Sequence, residues 1–123
     1  MPIDNLDPRA NQLLEDIYIS AQRIMDRVQK ETPESFVSKA GMDVQDIVAR
    51  RLTIIGEASA ALLKKYSDFC RQHPEIPLQK ARGMRNALVH EYNRVDWHIV
   101  WDTVQEGIPQ LIDSITSFLS EKP

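Results

Sequence analysis

Four polar residues whose types could carry out phosphoryl chemistry lie close together in the stretch R-N-A-L-V-H-E-Y, residues 85–92. On a helix, at about 100° per residue, Asn86 and His90 would share a face, and Arg85 and Tyr92 would lie on a neighbouring stripe. A guanidinium holds phosphate oxygens in a planar fork, and an imidazole can move a proton near pH 7. A site that cleaves a phosphodiester needs such groups, although an Arg and a His on one helix are more often ordinary surface residues.

The elements that must position these residues are predicted to be helices throughout. Apolar residues recur at spacings of three and four, Gly is scarce at 4 residues, and no Asn-Gly or Asp-Gly hairpin signal occurs. We predict helices over residues 8–30, 43–71, 78–92 and 97–119, with a helical turn over 33–39 and a loop over 73–77. Asp7, Asp43 and Asp96 are the predicted N-caps. Together they predict an all-α, four- to five-helix up-and-down bundle, dimerising through the motif helices, with residues 1–123 forming a single domain.

Three details of this pattern have more than one interpretation. Leu88 and Val89 are expected to pack inward, and Gly83 either lets another helix approach closely or loosens the turn before Arg85. Trp97 and Trp101 are expected in the core or at a dimer contact. A further set of charged residues lies on or beside the apolar stripe of the second long helix, and one of its arginines either pairs across the bundle or across a dimer, or is exposed with its aliphatic stem packed. That set is Arg50, Arg51 and Glu57.

Composition excludes several classes of function. The net charge of −3 disfavours extensive binding of duplex nucleic acid, although a local set of cations around the motif suits a few phosphates. The histidines and the single cysteine, Cys70, lack metal-ligand spacing, so we expect no metal and no cofactor. The sequence contains no run of about eighteen apolar residues, so no membrane span is predicted, and a cytoplasmic location is expected. The phosphate-contacting candidates are Lys80, Arg82 and Arg94.

The motif G-M-R-N-A-L-V-H-E-Y resembles the R-x-x-x-x-H-x-Y signature of the HepT-like toxins of the HEPN superfamily. Four other segments resemble that family in the same order, and two positions depart from it, with Leu78 where a Trp is frequent and Asn93 where an aromatic residue is frequent. The segments are R-L-T-I-I-G-E-A (51–58), H-P-E-I-P (73–77), V-D-W-H-I-V-W (95–101) and I-P-Q-L (108–111).

The resemblance implies a metal-independent endoribonuclease toxin of a type II toxin–antitoxin pair. Its members are helical dimers with paired motifs, encoded beside an MntA-like minimal nucleotidyltransferase antitoxin that silences them by transferring AMP to the motif tyrosine, here Tyr92. In this interpretation Arg85 and His90 are catalytic, Asn86 supports them, and the substrate is RNA, with tRNA or mRNA as the natural candidates and no DNA expected.

Two other functions remain open from the sequence. In the first, the chain is a non-catalytic nucleotide- or substrate-binding subunit of a two-component nucleotidyltransferase, in which Arg85 contacts phosphate and His90 is structural. In the second, it is a helical dimer in which these two residues only close an interface network.

Overall fold

Six α-helices and two 3₁₀ helices form the regular structure of residues 7–89 and 94–120, the parts of the chain that the computed structural model describes. Over these residues every regular element is helical, as the sequence predicts. No helix among them is both long and apolar enough to cross a membrane. The α-helices are α1 (Pro8–Val28), α2 (Pro33–Val37), α3 (Met42–Lys65), α4 (Ser67–Gln72), α5 (Leu78–Gly83) and α6 (Trp97–Ser120), and the 3₁₀ helices are Lys39–Gly41 and Met84–Leu88.

Helix α1 begins where the sequence predicts. Pro8 occupies the first turn, and the Asp7 carboxylate accepts a hydrogen bond from the backbone N–H of Arg9 at 2.7 Å. The predicted apolar stripe faces the core, and only Met25 among its members remains partly exposed. The buried members are Leu13, Leu14, Ile17, Ala21, Ile24 and Val28.

The three long helices α1, α3 and α6 enclose the hydrophobic core. The Tyr66 hydroxyl, just after α3, donates to the Asp7 carboxylate at 3.3 Å, so α3 ends beside the start of α1 and the two are antiparallel. Trp97 and Trp101, at the start of α6, pack their rings 6.0 and 5.3 Å from that of Phe36 in α2. Both tryptophans therefore join the core, one of the two roles predicted for them.

The prediction of one second long helix over residues 43–71 is wrong in one respect. The helix breaks at Tyr66, whose φ of −130° and ψ of 47° separate α3 from α4. The break turns α4 so that Phe69 meets Phe118 edge to face, with ring centroids 5.5 Å apart. The predicted N-cap Asp43 is also wrong, because the N-cap of α3 is Gly41 and Asp43 lies within the first turn.

Candidate active site

The motif segment is not the continuous helix predicted over residues 78–92. Helix α5 ends at Gly83, a 3₁₀ helix continues over Met84–Leu88, and Val89 is extended with φ −97° and ψ 124°. The backbone N–H of Val89 donates to the Asn86 carbonyl at 3.0 Å, which closes a tight last turn before the chain leaves the helix. The α-helix predicted to carry Asn86 therefore ends at Gly83, and the face that Asn86 was predicted to share with His90 is not tested, because His90 lies outside the described residues.

The 3₁₀ helix has three residues per turn, so side chains three positions apart lie on the same face. Met84 is buried and Ala87 partly buried, while the adjacent Arg85 and Asn86 are exposed. Leu88 packs partly against the core, as predicted. The inward orientation predicted for Val89 is wrong, because 77% of its surface is exposed.

Two residues of the 3₁₀ helix pack against glycines of the long helices. The terminal methyl of Met84 lies against Gly107 of α6, and the aliphatic stem of Arg85 lies against Gly56 of α3. At Gly83, in contrast, no atom of a described residue beyond its chain neighbours and its own helix backbone lies within 4 Å of the position that a Cβ would take, and close approaches of this kind are seen instead at Gly56 and Gly107. The motif is thus held between α3 and α6.

The charged end of Arg85 is available to an anion. Among the described residues, no carboxylate oxygen lies within 4.0 Å of its guanidinium and no hydrogen bond engages it. The stem is packed against Gly56 while the residue as a whole is exposed, and Asn86, the next residue in the chain, is exposed as well. Such a fork can bind two phosphate oxygens at once.

The other sequence-predicted cations flank Arg85 in the chain and are exposed. Lys80 and Arg82 are exposed on α5, immediately before it in the chain. Arg94 is exposed and lines a shallow cavity of about 310 Å³ with Trp97 and His98. His90 and Tyr92 lie outside the described residues, so their proposed roles rest on the sequence.

The two arginines beside the apolar stripe of α3 line a cleft on a different face of that helix. Arg50 is exposed and Arg51 partly exposed, and neither has a carboxylate of a described residue within 4.0 Å. Glu57 is exposed as well. Two aspartates in the cleft offset two of its four arginine charges. The cleft, of about 470 Å³, is lined by Arg23, Asp26, Arg27, Asp46, Ile47, Arg50 and Arg51.

Two other titratable groups have shifted pKa values. Burial raises the pKa of the Cys70 thiol, which disfavours the reactive thiolate. Desolvation, and then the neighbouring Asp7 carboxylate, raises the pKa of Tyr66. Neither group is placed to contribute a nucleophile to the motif chemistry.

Gly56 is the residue of this site that the sequence analysis did not identify. It lies in the middle of a 24-residue helix, where glycine costs roughly 0.5–1 kcal/mol relative to alanine. That cost is the signal that could have identified it, because an isolated glycine in a helical pattern usually has a packing reason.

Comparison with known proteins identifies relatives that are all described as ribonucleases. The profile of a family described as "Ribonuclease HepT-like" matches residues 17–118. A Thermococcus cleftensis protein named "Probable ribonuclease HepT" is 40% identical over 98 residues, covering 80% of this chain and 84% of that protein. A protein of Caldanaerobacter subterraneus subsp. tengcongensis, provisionally named an RNase, is 31% identical over 109 residues, covering 89% and 93% of the two chains. No solved structure matches this chain.

Proposed function

We propose, from the premise that this chain belongs to the HepT-like ribonuclease family, that it is a metal-independent endoribonuclease in which Arg85 and His90 carry out the chemistry. The observation that supports this most is the state of Arg85. Its stem is packed against Gly56, while its guanidinium is exposed with no carboxylate of a described residue within 4.0 Å. A side chain held in this way is suited to binding a phosphate.

The proposed reaction is an internal transfer at phosphorus. His90 removes the proton from a ribose 2′-OH, and the 2′ oxygen attacks the adjacent phosphorus. The bond to the 5′ oxygen of the next nucleotide breaks, and that oxygen takes up a proton as it leaves, so the products are a 2′,3′-cyclic phosphate and a 5′-OH. Arg85 stabilises the charge that develops on the phosphoryl oxygens, as preorganised donors do. Asn86 orients the imidazole or donates to the phosphate.

The shortage of acid–base groups within one motif leads us to expect a composite site. One histidine cannot easily be both the base for the 2′-OH and the acid for the leaving oxygen in one step. Two motifs that face each other across a two-fold axis would supply two histidines. Val89, apolar and 77% exposed in the motif segment, is a side chain that a second copy would cover.

We therefore expect a homodimer, of twice the 14.1 kDa chain mass, in sedimentation at micromolar concentration. A Val89→Asp variant, which places a charge at that contact, is expected to sediment as a monomer and to lose cleavage. A stable monomer of the unmodified protein would remove the composite site from the mechanism.

Arg85→Lys is expected to lower RNA cleavage on the order of 10²-fold, because a point ammonium does not reproduce the planar fork that stabilises the transition state. The matched control is Arg9→Lys, the same change at an exposed position at the start of α1. Cleavage should be measured on a single-site RNA with divalent metal chelated. Full activity of Arg85→Lys contradicts the role given to this side chain.

The partners follow from the same proposal. The substrate is RNA, with tRNA or mRNA as the candidate classes, because the reaction consumes a ribose 2′-OH that DNA lacks. An MntA-like nucleotidyltransferase is the proposed antitoxin, which silences the toxin by adding AMP to Tyr92. We place both components in the cytoplasm, where these substrates occur.

A further inference from the structure

The stem of Arg85 crosses the backbone of α3 at Gly56. A Cβ added at Gly56 would lie 2.9 Å from the Cδ of Arg85 and 3.0 Å from its Cβ and Cγ. Three successive carbons of one side chain thus lie within the space that any residue other than glycine would need. The stem follows the helix surface, and only the charged end projects from it.

We propose that Gly56 is a positioning residue that aims the Arg85 guanidinium at the scissile phosphate. The inference rests on the catalytic role proposed above for Arg85. It adds a residue of another helix, 29 positions earlier in the chain, that never touches the RNA. Gly56 acts by lacking a side chain, which leaves a notch that fixes the course of the stem.

The four glycines of the chain differ in what a Cβ would meet. At Gly107 it would meet the terminal methyl of Met84, which can swing aside at small cost. At Gly41 it would meet the backbone carbonyls of Ser35 and Phe36, so the requirement there belongs to the fold. At Gly83 it would meet nothing. Among the described residues, only Gly56 of the four glycines is packed against the first carbons of a side chain with a proposed catalytic role.

The surroundings of Gly56 do not yield easily. Leu52, Ile55 and Ser59, neighbours of Gly56 in α3, are fully buried, so the helix cannot shift without disturbing the core. A methyl group at Gly56 must therefore displace Arg85, beginning at its Cβ. Ordinary contact starts near 3.4 Å, so the stem moves by several tenths of an ångström, and the guanidinium, three bonds beyond Cγ, is redirected by more. Catalytic groups tolerate displacements of only about 0.5 Å.

Gly56→Ala is expected to lower the cleavage rate at saturating RNA by roughly 10- to 100-fold, as a small misplacement of a catalytic group does. The RNA concentration that gives half the maximal rate should change little, because the stabilisation lost belongs to the transition state. The matched control is Gly83→Ala, the same change two residues before Arg85 where nothing lies within 4 Å. Gly83→Ala gains helix propensity and meets no atom of a described side chain, so it should keep the unmodified rate and its Tm should not fall.

A double-mutant cycle with Arg85→Ala tests whether the effect passes through Arg85. This truncation removes Cγ and Cδ, two of the three carbons nearest the notch. If Gly56 positions Arg85, Gly56→Ala has no further effect on cleavage once Arg85 is alanine. An equal rate loss in both backgrounds overturns the inference and assigns Gly56 to general packing. If Gly56→Ala does not fold, the same cycle is measured on the folded fraction. Restored folding in the double variant with Arg85→Ala supports the proposed contact between Gly56 and the Arg85 stem, and no restoration overturns it.

The outcomes separate this inference from the proposed function. If Arg85→Ala abolishes cleavage while Gly56→Ala matches Gly83→Ala, Gly56 does not position the arginine and the catalytic role of Arg85 is retained. If Arg85→Ala is fully active, the catalytic role fails and the positioning role with it. A readout independent of activity is the NMR resonance of the Arg85 Nε–H. It should shift in Gly56→Ala and stay in place in Gly83→Ala, and an unmoved resonance in Gly56→Ala overturns the inference.

Discussion

His90→Ala is expected to lower the rate of RNA cleavage by roughly 10²–10⁴-fold, the usual share of a general acid–base group. The loss arises because the His90 imidazole is the group proposed to take the 2′-OH proton, and the methyl group of alanine cannot take it. If two motifs share one site, the variant loses both histidines at once, so the loss falls toward the upper end of that range. The rate is measured on a single-site RNA with divalent metal chelated.

The matched control for this variant is His98→Ala. His98 is exposed on the first turn of α6, where its backbone N–H donates to the Asp96 carboxylate and its imidazole contributes nothing to the core. It should cleave at the unmodified rate, and both variants should unfold at the unmodified Tm. Full activity of His90→Ala sinks the assignment of the base. Loss of the unmodified protein's activity on chelation would show instead that a metal takes part.

Tyr92→Phe is expected to leave RNA cleavage intact and to abolish neutralisation by the partner nucleotidyltransferase. The proposed reaction does not use the phenol, whereas AMP transfer needs its oxygen as the acceptor. The modified residue carries a phosphodiester with one negative charge, seven positions beyond Arg85 in the chain. That phosphate competes with RNA for the guanidinium, at an interaction strength on the order of a few kcal/mol, and the adenosine obstructs the approach to His90.

The measurement is the intact mass after incubation with the partner enzyme and ATP, together with the residual cleavage rate. Tyr18→Phe and Tyr66→Phe are the matched controls, because these are the other two tyrosines of the chain. Both should still gain one AMP and lose activity, while Tyr92→Phe should gain none. Adenylate on another residue, or no adenylate on the unmodified protein, contradicts the proposal.

The sequence predicted best those features that local chemistry determines. The Asp7-Pro8 pair starts α1 because a carboxylate cap and a proline in the first turn need no distant partner. Asp96 likewise accepts from the His98 backbone N–H at 3.0 Å, as its cap position predicts. The apolar stripe of α1 is buried as its spacing of three and four requires. Exposure of Arg85 and Asn86 followed equally from their polarity.

The features that were missed depend on contacts between distant parts of the chain. The break at Tyr66 is accompanied by its bond to Asp7, 59 residues away, and by the packing of Phe69 on Phe118. Over Met84–Leu88 the chain is a 3₁₀ helix, and in it Met84 and Arg85 pack against glycines of two other helices. The periodicity of apolar residues reports only on contacts within one helix. It therefore predicted that the α-helix continues through Val89, where the backbone is in fact extended.

The most direct test of the central claim is the chemistry of the RNA ends. A single-site RNA is incubated with the purified protein with metal chelated, and the fragments are identified by mass spectrometry. Attack by the 2′ oxygen predicts a 2′,3′-cyclic phosphate on the upstream fragment and a 5′-OH on the downstream fragment, with neither formed at the unmodified rate by His90→Ala. No cleavage, or fragments that carry a 3′-OH and a 5′-phosphate, would contradict the account.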